Sequence, residues 1–295
     1  MEKKYNYKLG LTAALGCSFL WGILPIYWKL LVPIPSSVII FYRIFWVGVV
    51  CFVAALKIYG WQGIIGPLKV KGNKLKFFVA GVIITANWSI YIWAVNSGHI
   101  IQTSIGYYIE PLVVCIFGII FFKEKVTKYN LTAFIIAMLG VLIVLVHFKE
   151  VPLIALGLAV TFAVYAALKK LFNVEAILSL LYETMFLVPI ALVVIIYLEV
   201  SGQGAIGVGE SYQYGLLMLS GFATAIPLGL FAVGAKNLPL ITLGVTEYLS
   251  PSMALLLGIF LYNEPFDKIQ FLSFVVIWIA LVVFTIGEAK ANKNS

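Results

Sequence analysis

Apolar residues run through this chain in long unbroken segments, and polar positions gather in short clusters between them. Ten segments stand out, near 9–31, 36–58, 75–97, 102–122, 130–147, 153–172, 176–198, 213–235, 240–260 and 269–287. Each is close to the roughly 20 residues that carry a helix across the hydrocarbon core of a bilayer. Pro, Gly and Ser mark the breaks, as in Pro33-Ile34-Pro35-Ser36-Ser37, Ser97-Gly98 and Asn237-Leu238-Pro239. Links this short set successive helices side by side and antiparallel. The pattern predicts an all-α polytopic membrane protein of ten transmembrane helices.

The pattern also repeats. Tyr108, Pro111, Gly118-Ile119 and Glu124 recur 140 positions later as Tyr248, Pro251, Gly258-Ile259 and Glu264. Tyr42-Arg43 is echoed by Tyr182-Glu183, and Ala14-Leu15-Gly16 by Ala155-Leu156-Gly157. Residues 1–149 and 150–295 therefore read as two five-helix repeats within one integrated membrane domain. Five is odd, so the second half crosses the membrane in the opposite sense. An inverted repeat of five plus five is the architecture of many alternating-access transporters.

Composition agrees with the segments. Hydrophobic residues make up 63% of the chain and charged residues 11%, too little polar surface to coat a soluble domain. The net charge is +8, but its distribution argues against nucleic acid. Sixteen lysines fall on the side of the N-terminus, while only Lys29, Lys149 and Lys268 fall on the other. Both termini are thus expected to be cytoplasmic, with the charge facing anionic lipid. The stretch from Lys57 to Lys76, which includes Trp61 and Ile64-Ile65, is expected on the inner membrane surface. The first apolar run continues too far for a signal peptide and reads as a retained span.

Chemistry-bearing residues are few. Arg43, the single arginine, lies seven residues into the second span, roughly 10 Å below the outer boundary. A charge at that depth faces the bundle interior and has a partner. Glu110, Glu183 and Glu247 lie at similar depth, so Arg43 is expected either to pair with an acid or to line a substrate path. Pro111 and Pro251 stand beside Glu110 and Glu247, where a missing donor bends the helix and exposes polar backbone. The candidate substrate-binding set is Arg43, Glu110, Glu183, Glu247, Tyr108, Tyr248, Asn87, Tyr91 and Trp21. Asn87 and Tyr91 share a helix face in the third span. Glu124 and Glu264 end their helices as interfacial charges or gates, and His99 reads as a solvated loop residue. Tyr27 reads as an interfacial aromatic. The fifth and tenth spans hold no charge in their apolar runs, which leaves them facing lipid or forming a homodimer.

Cys17, Cys51 and Cys115 lie in apolar segments without CxxC spacing and read as small membrane-helix residues. No metal-ligand cluster, GxSxG, HExxH or phosphate-binding loop appears, so neither metal nor cofactor is expected. An intramembrane enzyme would need a paired catalytic set, and both histidines lie at span ends. A passive channel would favour a polar stripe down one span, which is missing.

The run Leu20-Trp21-Gly22-Ile23-Leu24-Pro25-Ile26-Tyr27-Trp28-Lys29-Leu30 resembles the start of RarD-type proteins. Asn87-Trp88, Ile92-Trp93-Ala94-Val95-Asn96, Gly106-Tyr107 with Pro111, and Leu243-Gly244 with Tyr248 and Pro251 are similar to the same group. These belong to the EamA branch of the drug/metabolite transporter superfamily. The resemblance implies ten spans as an inverted repeat, a bacterial plasma-membrane location and a permease or exporter of small organic metabolites. Since superfamily relatives export amino acids, it points to an amino-acid-like or amphipathic amine as substrate. It also implies amides where this chain has Glu110 and Glu247. Glutamates there hold or release protons, which brings in proton coupling.

Overall fold

The structure, a computed structural model, describes residues 6–96, 100–148, 153–262 and 268–293. Every regular element among them is an α-helix. They are α1 (Tyr7–Lys29), α2 (Ser36–Lys69), α3 (Asn73–Asn96), α4 (Ile100–Phe122), α5 (Lys128–Phe148) and α6 (Leu153–Leu171). The second half continues with α7 (Ala176–Thr184), α8 (Val188–Val200), α9 (Ser211–Asn237), α10 (Leu240–Glu247), α11 (Leu249–Phe260) and α12 (Lys268–Lys293). Helices close all backbone hydrogen bonds within one segment, which apolar surroundings demand.

By length and composition, seven helical stretches among the described residues are able to cross a membrane, one of them α10 and α11 taken together. The pair α7–α8, bent by 53°, makes eight if it is one span. The helices α3 and α12, 24 and 26 residues long, stand where the third and tenth spans are expected.

The breaks follow proline chemistry. Proline removes a donor and crowds the carbonyl four residues back. For Pro189 that residue is Met185, in the gap between α7 and α8, and for Pro251 it is Glu247, where α10 ends. Pro111, by contrast, lies inside an uninterrupted α4. The two prolines thus differ in helix continuity: α4 runs through Pro111, whereas α10 ends before Pro251. A further break at Gly60, where φ is +63°, divides α2. Beyond it Trp61 is exposed and Ile64 is buried, its carbonyl accepting a hydrogen bond from the Tyr182 hydroxyl.

Packing sets α1 against α9, α10 and α11, and α6 against α3 and α4. The helix α2 lies on α7, α8 and α9, α4 meets α10, and α5 meets α12. The core runs through α1, α2, α3, α6, α7 and α9, with a second cluster among α4, α5, α6, α10 and α12. Trp21, Phe162, Tyr165 and Phe231 form an aromatic cluster where α1, α6 and α9 converge.

Candidate functional site

Two groups of polar residues lie deep among these helices. The first surrounds Arg43. Its guanidinium carbon stands 4.7 Å from the ring centre of Trp28 and 4.9 Å from that of Trp88, from α1 and α3. Its Nε donates to Thr224 Oγ1 of α9 at 3.1 Å. The rings of Tyr27, Tyr91 and Tyr107 lie within electrostatic reach. The cation is thus held by aromatic faces and a hydroxyl, and no ion pair to it occurs among the described residues. Tyr91 and Tyr107 pack at 6.1 Å yet keep 38% and 45% of their surface uncovered, so protein does not fill the space beside them.

The second group lies where α4 crosses α10. Gly244 makes the crossing possible, because a Cβ there would stand 2.7 Å from the carbonyl oxygen of Pro111. Tyr248 and Tyr108 are both buried, and the Tyr248 hydroxyl donates to the Tyr108 carbonyl. Glu110 and Glu247 are within electrostatic reach of one another. Glu110 is half-buried, whereas Glu247 is 3% exposed, and its Oε1 has no hydrogen-bond partner among the described residues. Ser18 of α1 stands beside that carboxyl, its own hydroxyl likewise unsatisfied. Tyr107, three residues before Glu110, is within reach of both Glu110 and Arg43 and so links the two groups.

The structure does not bring Glu183 to Arg43. Glu183 closes a sealed network instead: it accepts from Lys169 Nζ, from Ser179 Oγ at 2.6 Å and from Tyr165 at 3.0 Å, while Lys169 also donates to Ser179 at 2.8 Å. Both charges are 2% exposed. Asn87 is also engaged, its amide donating to Leu158 O at 2.8 Å and Thr161 Oγ1 at 2.9 Å on α6. Trp21 belongs to the aromatic cluster. Of the expected set, Arg43 and Tyr91 therefore meet, as do Glu110, Glu247, Tyr108 and Tyr248.

Several further residues build these groups. Trp28, Trp88, Tyr107 and Thr224 make up the surroundings of Arg43, and Tyr27 joins them rather than standing only as an interfacial aromatic. Lys169 and Lys170, read as exposed cytoplasmic charges, are inside. Lys170 pairs with Glu124 at 3.1 Å and donates to the Leu238 carbonyl. Glu124 is a helix cap: its carboxylate accepts from the backbone N–H of Leu240 at 2.7 Å and of Ile241 at 3.0 Å, the first donors of α10. Gly118 leaves room for it, since a Cβ there would lie 2.6 Å from Glu124 Oε2. The repeated Gly and Glu are thus, in the first copy, a latch between α4 and α10. Glu264 and His99 lie outside the described residues.

A separate cavity of about 340 Å³ is lined by α4, α5, α10 and α12. Its α4 residues, Leu112, Cys115 and Ile119, share the helix face of Tyr108, across α4 from Tyr107 and Glu110. None of the described residues that line it is charged.

Residues 8–146 match the model of the EamA-like transporter family. The chain is 40% identical over 281 residues to "Uncharacterized transporter YojE" of Bacillus subtilis, covering 94% of this chain and 93% of that protein. It is 34% identical over 286 residues to "Protein RarD" of Escherichia coli K12, covering 97% of each. One solved crystal structure, 14% identical, shares the fold with a TM-score of 0.73 over 95% of this chain and 98% of that one.

Proposed function

This chain belongs to the EamA-like transporter family, in its RarD-type branch, and we propose that it is a secondary transporter of small organic metabolites working by alternating access. It is a multi-pass membrane protein. In this reading ten spans form an inverted repeat, with α7–α8 and α10–α11 each serving as one broken span. The packing supports it: exchanging the halves turns α1·α9 into α6·α3, α1·α10 into α6·α4, and α2·α9 into α7·α3. The contacts α2·α7, α4·α10 and α5·α12 map onto themselves. Two halves built alike, in opposite senses, rock about a site fixed at their shared axis.

One observation carries the functional reading: Glu110 and Glu247 stand within electrostatic reach of each other where counterpart helices cross. Two carboxyl groups so placed bear on a substrate amine and on protons together. The substrate passes unchanged, and the lysine asymmetry supports cytoplasmic termini in a bacterial plasma membrane. The α5·α12 packing uses one face of each of those helices within the chain, leaving their outer faces for lipid or for a homodimer partner.

The test is counterflow in proteoliposomes against a metabolite library, with and without a pH gradient. Saturable counterflow is expected. Non-saturating flux would make the protein a channel, and covalent change of the solute would make it an enzyme. Cysteine placed at Asn73 is expected to react only with reagents that reach the cytoplasmic side.

A further inference from the structure

We propose that Arg43 is the anion-binding end of the substrate site, and that the molecule carried bears a carboxylate held by the guanidinium beside Trp28 and Trp88. This names a substrate class and rests on the transporter reading above. A guanidinium within a spanning helix is costly and is ordinarily offset by an acid. Arg43 has none among the described residues. Glu183, its counterpart in the second half, is occupied by Lys169, Ser179 and Tyr165.

The donor inventory is decisive. A guanidinium carries five N–H donors in a rigid fork. Here Nε is used by Thr224, and the two Nη groups have no hydrogen-bond partner among the described residues. Beside the guanidinium, Tyr91 and Tyr107 keep 38% and 45% of their surface uncovered. Four unused donors in one plane match the two oxygens of a carboxylate. The indoles stabilise the cation while the site is empty without competing as anions. Tyr27, Tyr91 and Tyr107, all within electrostatic reach, present aromatic surface to a ligand's apolar body. Tyr107 then leads to Glu110, which suits an amine at the other end of the same molecule.

The purified protein is titrated in detergent with 3-phenylpropionate, its amide 3-phenylpropanamide, and inorganic phosphate. Tryptophan fluorescence and thermal unfolding are read, since Trp28 and Trp88 border the site. The acid is expected to bind roughly tenfold or more tightly than the amide, the margin of a hydrogen bond to a charged group. Arg43→Gln is expected to abolish that preference and Arg43→Lys to keep part of it. Equal binding of acid and amide, including binding of neither, overturns the proposal, as does a preference that survives Arg43→Gln. Phosphate that competes as well as the acid overturns the carboxylate assignment. The ligand series on the unmutated protein decides the matter even if Arg43→Gln fails to fold. Acid preference without counterflow of any solute would reject transport and leave the anion site standing. Counterflow without acid preference would do the reverse.

Discussion

The hydroxyl of Tyr248 donates a hydrogen bond to the backbone carbonyl of Tyr108, 3.1 Å away, and the two tyrosines are repeat counterparts 140 positions apart. In the proposed inverted repeat, a residue that meets its own counterpart lies at the axis relating the two halves. Gly244 against the Pro111 carbonyl fixes the same crossing. Tyr248→Phe removes one buried hydrogen bond and leaves the ring in place. It is expected to cost about 0.5–1 kcal/mol, the range for hydrogen bonds between membrane helices. Thermal unfolding in detergent checks it, and an unchanged melting temperature would mean that the bond contributes nothing at the crossing.

The Lys169–Glu183 pair is sealed, so its two halves depend on each other. Removing one partner leaves a buried charge, at a cost of roughly 3–5 kcal/mol. Lys169→Met and Glu183→Gln are each expected to depress expression and melting temperature strongly. The double variant is expected to recover much of the loss, because no charge is left uncompensated. Additive losses in the double variant would show that the two residues act independently.

Glu124 and Gly118 are predicted to act as one unit. Glu124→Ala takes the cap from α10 and leaves Lys170 without its carboxylate, for a loss of at least about 1–2 kcal/mol. Gly118→Ala drives a methyl into the space of Glu124 Oε2 and is expected to produce a similar loss by displacing the carboxylate. Combining the two is expected to cost little more than Glu124→Ala alone. Full additivity, measured by thermal unfolding, would count against the latch.

The helices of this protein were legible in the sequence because apolar length along the chain is a strong signal. Position around each helix was not. A helix that meets lipid on one side and protein on the other is apolar all round, so no stripe marks its inner face. Similar depth was expected for Arg43 and the three acids, Glu183 among them, and depth alone offered each as a partner. The direction in which each points separates them: Arg43 turns to α1, α3 and α9, whereas Glu183 turns to Lys169 on α6. Lys169 and Lys170 misled for the same reason, because lysines at a helix end look solvated until a neighbouring helix covers them. Pro251 marked a real break and Pro111 did not, since a proline states only which hydrogen bond is lost. The clue available for Trp28 and Trp88 was indirect. A lone arginine in a tryptophan-bearing chain has aromatic rings as the alternative to an acid.

Glu110 and Glu247 differ in how far they are covered. Glu110 follows the partly uncovered Tyr107 by three residues, on the same face of α4, and is itself half-buried. Glu247 is covered, ends α10 at the proline-induced break, and has Ser18 beside it with neither Glu247 Oε1 nor the serine hydroxyl satisfied. Glu110 is therefore the less covered of the two, and Glu247 the enclosed one, at the end of α10. Two like charges within electrostatic reach resist being ionised together, so a proton on one favours charge on the other. An amine arriving at Glu110 favours ionisation there, which shifts any shared proton toward Glu247. In this scheme the pair exchanges substrate for proton, and a pH gradient drives transport. Glutamine keeps the shape and some of the hydrogen bonding but cannot carry a proton. Glu110→Gln is expected to weaken binding of amine-bearing substrates and to lose acceleration by the gradient. Glu247→Gln, set back from the substrate, is expected to keep binding and counterflow while losing the acceleration. Proteoliposomes with an imposed pH gradient separate these outcomes, because counterflow needs no gradient. Gradient-driven uptake that persists in the double glutamine variant would leave both acids structural, with coupling carried elsewhere in the chain.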